Sequence, residues 1–587
     1  MLKNRVYLAV TFLFIIGVAL IASPAFTTYL NYVGLHALVC LGLVFLTGYI
    51  RVTSFGQAAF VGIGAYTTAI LVTRYGWDPY SSLLVAMLLS AFFAFLIGWL
   101  TINLAGHYLV LGTMVWGISI YLVFGNVAFF GGFNGISGIP TLGFSLFDLP
   151  EQKNYLILIW IVVLLFFWGS LKALNSRQGR AIRVLQDPLL ASSFGIQVNH
   201  LKVKTFVVAA VFASVSGWFT AHYLSVVNPG PFGINASVDY LFMTVVGGVS
   251  NIFGALVGPA VVEALRVLIR DNIPSFLGTG GSFEVVLFGL IVIVILQRAG
   301  GGILDLLGRK INFGFNVITD RSVGGLKSKE KVLKPEPILE VKHLVKKFGG
   351  LVASNNISFD LNYGELVGVI GPNGAGKSTL FNMLSGVFRP TSGRIEFQGV
   401  DISKKSAFNV SQLGIARTFQ HVRLQPAMTV LENVAVGAYS RGKGGLVSAA
   451  FGLGRKEEQH CINEAYIQLE RIGLAHLAHA KAGSLALGQQ RLVEIARALA
   501  SDPMLLLLDE PAAGLRFQEK QDLAQLLKKL KAEHLTILLV EHDMQFVMQL
   551  ADRLVVLQYG ERIAFGKTAE VQKDRRVIDA YLGAEEA

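Results

Sequence analysis

The chain has 587 residues, 53% of them hydrophobic and only 15% charged, with 63 glycines and 40 phenylalanines. A soluble protein carries about a quarter charged residues, so a wholly soluble or disordered chain is excluded. Of the formal charge of +12, +7 falls within residues 1–310, the more apolar part, which argues for membrane topology rather than nucleic-acid binding.

The charge deficit is one-sided. Residues 1–310 hold 16 basic and 9 acidic side chains, residues 311–587 hold 34 and 29, so charges make up about 8% of the first part and about 23% of the second. That is a membrane class followed by a soluble class. With only Cys40 and Cys461, neither a disulfide framework nor a cysteine-rich metal site is available, and a reducing cytoplasm suits the second part.

Apolar runs of spanning length, about 20 residues each, are predicted over 6–23, 29–50, 54–73, 80–104, 107–130, 155–171, 205–227 and 283–297. A longer Gly-rich run covers 240–269. The first run follows Lys3 and Arg5 and ends in ASPA, which also fits a signal peptide; its length and the spans behind it favour a retained first span. Lys172, Arg177, Arg180, Arg183, Lys202 and Lys204 against Asp187 make the loop 172–204 cytoplasmic by the positive-inside rule. The loop 131–154, with Asp148, Glu151 and Lys153, then reads as external, and counting spans back from it puts Lys3 and Arg5 inside. For the soluble part to reach the cytoplasm, the run 240–269 must enter and return, as a re-entrant segment or as two short spans, giving about eight to ten crossings.

In that run GALVG has the small-xxx-small spacing of close helix packing, with Pro259 next. Packing is the preferred reading over a substrate contact, there and at Gly62, Gly64 and GGFNGISG. Glycines in such number still favour a bundle with broken helices over a single anchor. In the cytoplasmic loop, Pro188 of QDPLLASSFGIQV predicts a short helix ending near Gly195, either a plain connector or a surface that another domain could push. Lys327, Lys329, Lys331 and Lys334 ahead of Pro335 and Pro337 predict a linker over 311–336, read as a solvated hinge in preference to a lipid contact.

In ELVGVIGPNGAGKSTLFNML a short apolar strand leads through GPNGAGKST into a helix, the context that makes a phosphate-loop match specific. Gly371, Pro372, Asn373, Gly374, Ala375, Gly376, Lys377, Ser378 and Thr379 are the candidate nucleotide-binding residues. Backbone N–H groups at Gly374 and Gly376 can close on phosphate oxygens, Lys377 can reach the β- and γ-phosphates, and Ser378 can hold Mg²⁺. A second strand ends in MLLLLDEP, where Asp509 is the candidate metal ligand and Glu510 the candidate base for an attacking water. A third, TILLVEHDM, brings His542 to the γ-phosphate; a lone histidine after a strand is usually structural, and its place behind the other two strands reverses that.

The order of phosphate loop, Gln420 in ARTFQ, SLALGQQRLVEIARALA, LLLLDEP and His542 resembles an ABC-transporter ATPase. FGGLVASNNISF, GQQRLVEIARAL, DEPAAGL, VEHDM and VIDAYLG resemble the larger ATP-binding subunit of Liv-type branched-chain amino acid importers, over nearly all of 337–587. TSFGQAAFVGIGAYTTAI, SFGIQVNHLKVKTFV and VVGGVSNIFGALVGP resemble the membrane subunit of the same importers, over about 28–300. The resemblance implies a natural fusion: a polytopic all-α permease domain over 1–310, the linker 311–336, and a cytoplasmic α/β P-loop ABC ATPase domain with a helical subdomain over 337–587.

It further implies that Phe348 stacks on adenine, and that Gln420 senses Mg²⁺ and touches the coupling helix. Leu485, Ala486, Leu487, Gly488 and Gln489 become the signature that caps ATP on the opposite ATPase. Two departures stand out: LSGGQ reads LALGQ, so Ala486 has no serine hydroxyl, and Arg516 follows AAGL where the family usually has Asn. The expected partners are a second permease, a second ATPase, a periplasmic binding protein and membrane lipid, with no nucleic acid, and the expected location is the inner membrane. An acid common near the position of His107 is absent, so branched-chain and other amino acids, amides and urea all stay open as cargo, and no substrate contact is assigned. An exporter half-transporter and a membrane-tethered ATPase that transports nothing are the rival readings; short loops disfavour the first and Gly-broken spans the second.

Overall fold

The computed structural model describes residues 15–102, 104, 107–143, 149–272, 289–290, 293–294, 297–298, 301–304, 323–328 and 335–582. The chain divides into two compact units, Met1–Ala173 with Asn199–Phe315, and Leu174–Val198 with Asn316–Ala587. The loop segment 174–198 thus belongs with the soluble unit, although membrane helices flank it in sequence.

The first unit is helical. Its main elements are α1 (Pro24–Leu43, continued by a π-helical turn Val44–Tyr49), α2 (Gln57–Tyr75), α3 (Pro79–Thr101), α4 (His107–Asn126) and α5 (Glu151–Leu174). After the soluble unit's α6 (Arg177–Val184) and α7 (Pro188–Ser193) come α8 (Val198–Leu224), α9 (Ile234–Gly247) and α10 (Gly254–Asn272). Among the described residues five helices are long and apolar enough to cross a membrane: Pro24–Tyr49, Pro79–Thr101, Tyr108–Asn126, Glu151–Leu174 and Val198–Leu224. Of the expected spans, 6–23 is described only from residue 15 and 283–297 only at 289–290, 293–294 and 297. Ser23 caps α1 by accepting from the Phe26 N–H, and Asp78 caps α3 by accepting from Tyr80 and Ser81; each cap precedes a proline that suits the first helical position.

The run 240–269 is two helices broken at 248–253, and its glycines do pack helices. A Cβ on Gly258 would lie 1.8 Å from the Met243 carbonyl oxygen, and one on Gly64 would lie 2.2 Å from that of Ser214. No larger residue fits at either contact. Two short strands, β1 (Ile136–Ser137) and β2 (Val226–Val227), pair antiparallel across the Gly-rich loop.

The second unit holds two sheets. β3 (Leu339–Phe348), β4 (Leu351–Leu361), β6 (Ser392–Phe397) and β7 (Val400–Asp401) form an antiparallel sheet in the order β4-β3-β6-β7. β5 (Leu366–Ile370), β8 (Ile415–Arg417), β9 (Leu505–Asp509), β10 (Thr536–Val540), β11 (Arg553–Gln558) and β12 (Glu561–Lys567) form the other, in the order β12-β11-β5-β10-β9-β8, parallel except for edge strand β12. Every residue of β5, β9 and β10 is buried, as continuous apolar runs require in a parallel sheet covered on both faces. Helices α11 (Lys377–Leu384), α12 (Ala407–Leu413), α13 (Val430–Gly437), α14 (Leu446–Phe451), α15 (Arg455–Arg471), α16 (Leu487–Ala500) and α17 (Phe517–Ala532) follow in chain order. Of these, α13, α15 and α16 share a separate apolar core around Leu431, Leu469 and Val493, the helical subdomain.

The solvated-hinge reading fails for 323–328. Within the soluble unit the Asn463 side chain bonds the Val323 carbonyl, the Leu326 N–H donates to Glu464 at 3.0 Å, and Ser328 donates to Asp502 at 2.9 Å. α15 takes up backbone groups of this segment, the Val323 carbonyl and the Leu326 N–H. The other linker residues from 311 to 334 lie outside the described ones.

Candidate nucleotide site

Strand register assembles the site. β10 lies between β5 and β9, with Val540 opposite Val369 on one side and Asp509 on the other. The three strands therefore end level, and the segments leaving them, 371–376, 509–510 and 541–542, meet at the carboxyl edge of the sheet, where parallel α/β folds bind ligands.

The loop after β5 is built for close approach. Gly374 and Gly376 have φ of +80° and +94°, left-handed values that glycine adopts freely, and a Cβ at Gly376 would lie 2.5 Å from the Ala353 carbonyl oxygen. Gly376 is the N-cap of α11, so the helix opens on Lys377 and Ser378 with its N–H groups turned toward the loop. Lys377 Nζ donates to the carbonyls of Gly371 at 2.7 Å and Pro372 at 2.9 Å. Burial lowers its pKa, while Glu510 and Asp509 act in the opposite sense.

Asp509 is 3% exposed, and its Oδ1 has no hydrogen-bond partner. Burial pushes its carboxyl pKa up against the pull of Arg417, whose Nη2 stands 3.5 Å from Oδ2. Arg417 also donates to Asn382 at 2.8 Å and Ser385 at 2.7 Å, tying β8 to α11 behind the loop. Glu510 has φ of +49°, a strained value for a non-glycine residue, held by its N–H bond to the Val540 carbonyl. One of its oxygens lies 2.8 Å from His542 Nε2 and the other accepts from Gln420 at 3.3 Å. Glu541, 3% exposed with its pKa raised by burial, accepts from Ala512 and fixes the turn after Glu510. Glu510, His542 and Gln420 thus come together beside Asp509 and the phosphate loop.

The remaining candidates lie elsewhere on this unit. Phe348, 42% exposed at the end of β3, makes a T-shaped contact with Phe388 with centroids 5.4 Å apart, and Lys346 Nζ lies over its ring at 5.0 Å. Ala486 is the N-cap of α16 and offers no side-chain acceptor; Gln489 returns to its N–H at 3.2 Å, and Leu487 is exposed. Gly488 faces Glu519, so a Cβ there would lie 2.7 Å from the carboxylate. Arg516 is the N-cap of α17, again without a capping acceptor. The His107 side chain is outside the described residues.

Sequence reasoning missed how the unit receives its loop segment. Asp187, N-cap of α7, pairs with Arg423 at 2.7 Å. Gln420 bonds Glu510, and the residue of that loop which reaches α7 is Arg423, three positions on. The Arg497 guanidinium lies 5.0 Å from the centre of the Phe194 ring. One helix earlier, Arg180, 1% exposed, pairs with Glu458; Arg183 pairs with Glu432 at 2.9 Å; and Arg177 donates to the carbonyls of Gly442 at 2.8 Å and Gly444 at 2.6 Å. Burial lowers the Arg180 pKa, but the Glu458 carboxylate outweighs it and the net shift is upward. Arg177 also lies 3.6 Å from Glu457, so the six-to-one basic excess of the loop, read from sequence as topology, supplies three arginines that carboxylates of the soluble unit take up.

Comparison with known proteins agrees with this geometry. The profile of ABC transporters matches residues 354–513, that of the branched-chain amino acid transport system permease component matches 25–296, and that of branched-chain amino acid ATP-binding cassette transporters matches 561–587. The high-affinity branched-chain amino acid transport ATP-binding protein LivG of Salmonella typhimurium is 43% identical over 254 residues, covering 42% of this chain and 98% of that protein. BraF of Pseudomonas aeruginosa, named likewise, is 42% identical over 250 residues, again 42% of this chain and 98% of that protein. A solved nucleotide-free ATP-binding cassette from an ABC transporter is 35% identical, covering 42% of this chain and 99% of that one, with a TM-score of 0.38. With a phosphate loop, paired acids and histidine at level strand ends, a matched permease region ahead of them and nearly complete coverage of such relatives, the chain belongs to the branched-chain amino acid ABC transporters, as a permease and an ATP-binding cassette in one polypeptide.

Proposed function

We propose that this chain is the permease and ATPase subunit of an importer that takes up branched-chain amino acids across the inner membrane, with its N-terminus and ATPase on the cytoplasmic side. In this reading it works with a second permease, a second ATP-binding subunit and an external solute-binding protein. The observation that carries it is the docking of segment 174–198 into the unit that holds the nucleotide site, which gives ATP chemistry a direct hold on the permease chain.

Mg²⁺ fits the residues present. A buried carboxylate oxygen without a partner on Asp509, next to a loop made for phosphate, suits a hard cation, which Asp509 and the Ser378 hydroxyl would hold. Bound there, Mg²⁺ neutralises charge on the β- and γ-phosphates. Gly374, Gly376 and Lys377 bind the phosphates, and Phe348 stacks on the base. Glu510, oriented by Gln420 and His542, accepts hydrogen bonds from the attacking water and takes its proton, while His542 contacts the γ-phosphate. Residues 485–489 cap the nucleotide of the facing subunit through backbone N–H groups, Gly488 foremost. Closure of the two ATPases moves α7 through Arg423 and Asp187, and the spans reopen on the other side.

A charged solute cannot cross hydrocarbon unaided, since each ionised group costs several kcal/mol there. Accumulating it about 1,000-fold needs about 4 kcal/mol, within reach of one ATP cycle. The test is uptake of labelled leucine, isoleucine and valine into proteoliposomes holding the full complex, with binding protein and internal ATP. ATP-dependent uptake that disappears in Glu510→Gln is expected. Uptake of urea or amides in preference to these amino acids overturns the substrate reading, and efflux overturns the direction.

A further inference from the structure

The membrane unit holds an ionisable cluster that the nucleotide site does not use. His36 on α1 lies 3.2 Å from Glu263 on α10, Arg266 reaches Glu263 at 3.0 Å, and Arg266 also reaches Asp239 on α9 at 2.7 Å. Tyr240 stands edge-on to the His36 ring at 5.5 Å, and the Tyr32 ring is tilted to it at 6.2 Å. His36 is twelve residues from the start and thirteen from the end of the apolar span Pro24–Tyr49, so the cluster sits at mid-depth of that span.

An ionised side chain at such depth is costly and is found facing protein, water or a charged pathway rather than lipid. This cluster is not sealed inside the unit: the side chains of His36, Glu263, Arg266 and Asp239 are 18, 13, 31 and 36% exposed. Three of its members, Asp239, Glu263 and Arg266, ride on the helices broken at 248–253, the kind of interrupted element around which transporters build midplane sites. It offers a forked cation with two carboxylates close by, the complement of a zwitterion.

We propose that Arg266, Glu263 and Asp239 form the permease's transient binding site for a zwitterionic amino acid, Arg266 taking the α-carboxylate and the two acids taking the α-ammonium. His36 positions Glu263. The ion pairs the cluster makes with itself are exchanged for pairs with the solute, so no isolated charge is left in the membrane. The same exchange in reverse releases the solute, so binding stays weak enough for passage. This inference rests on the amino acid reading above.

The experiment uses the full complex in proteoliposomes with leucine-loaded binding protein, scoring ATP-dependent uptake, basal ATP hydrolysis and melting temperature. Glu263→Gln and Arg266→Gln are each expected to lower uptake by about tenfold or more, the worth of a charged hydrogen bond, with basal hydrolysis retained, while Arg266→Gln, which leaves two carboxylates without their cation, also lowers the melting temperature. Arg266→Lys, which keeps the charge and loses the fork, is expected to fold as the parent does and transport at an intermediate rate. Uptake in the glutamine variants within about twofold of the parent overturns the site and leaves the amino acid reading standing. Parallel loss of uptake, basal hydrolysis and melting temperature in all three variants also overturns it, since the cluster is then a brace between helices. A parent complex that hydrolyses ATP and takes up no amino acid overturns both.

Discussion

Arg417 is the residue on which the rear of the nucleotide site depends. It is 5% exposed and joins Asp509, Asn382 and Ser385, so Arg417→Met leaves a buried carboxylate without its cation. Breaking such a pair costs about 3 to 5 kcal/mol, and a matching fall in stability is expected by thermal and denaturant unfolding of the ATPase signal. Glu510 behaves in the opposite way. Its carboxylate is held by neighbours rather than holding them, so Glu510→Gln is expected to keep ATP binding and stability while slowing hydrolysis by about 10² to 10⁴, measured as single-turnover phosphate release. The carboxylates, lysine and histidine were legible because each follows an apolar strand in a fixed motif. Arg417 stood in the quoted ARTFQ, but nothing in one dimension says that it is buried against an acid 92 positions later.

At the scale of elements, strand burial and glycine contacts set the terms. Leu505, Leu506, Leu507 and Leu508 are each 0% exposed, and at about 1.5 to 3 kcal/mol per buried leucine they outweigh the cost of holding Asp509 at the end of the same strand. Gly258 leaves no room for a methyl group against Met243. Gly258→Leu is therefore expected to force α9 and α10 apart and to lower the yield of folded complex, whereas the same change at Gly289, with open space around its Cβ, is expected to be tolerated. Docking of α6 carries a pH signature. Burial tends to raise the Glu432 pKa, but Arg183 and the Thr429 N–H prevail and hold it below its ordinary value. Folding thus favours the carboxylate: its contribution is complete above the unfolded value of about 4.3 and fades as pH falls through the lower folded one. The melting temperature of the parent is expected to drop more steeply than that of Glu432→Gln over that acidic interval.

At the scale of the molecule, the chain enters the ATPase unit twice, once through 174–198 and once through 323–328, and α15 takes part in both, with Glu458 holding Arg180 and Asn463 and Glu464 holding the linker. The peptide connection is then not the only tie of residues 335–582 to the earlier part of the chain. Cleavage at a protease site engineered within 329–334 is expected to leave the ATPase fragment with the membranes, and Arg180→Glu, Arg183→Glu and Asp187→Lys combined with cleavage are expected to raise the released fraction, both scored by sedimentation. Buried pairs are screened little by salt, so moderate ionic strength alone is expected to release only a minor fraction.

The sequence by itself determined the two classes of chain, the order of the nucleotide motifs and the family, because apolar run length and strand-loop-helix punctuation are local properties that survive in one dimension. It also marked residues 172–204 as basic, without saying what the charge meets. Only the tertiary structure decided that this segment joins the ATPase unit, that 323–328 is bound rather than free, and that His36, Asp239, Glu263 and Arg266 gather near the middle of the apolar span Pro24–Tyr49. The physical reason is the same in each case: a polar or charged group is placed by the partner that repays its desolvation, and apart from the Glu263–Arg266 pair on one helix those partners stand some 27 to more than 270 residues away along the chain.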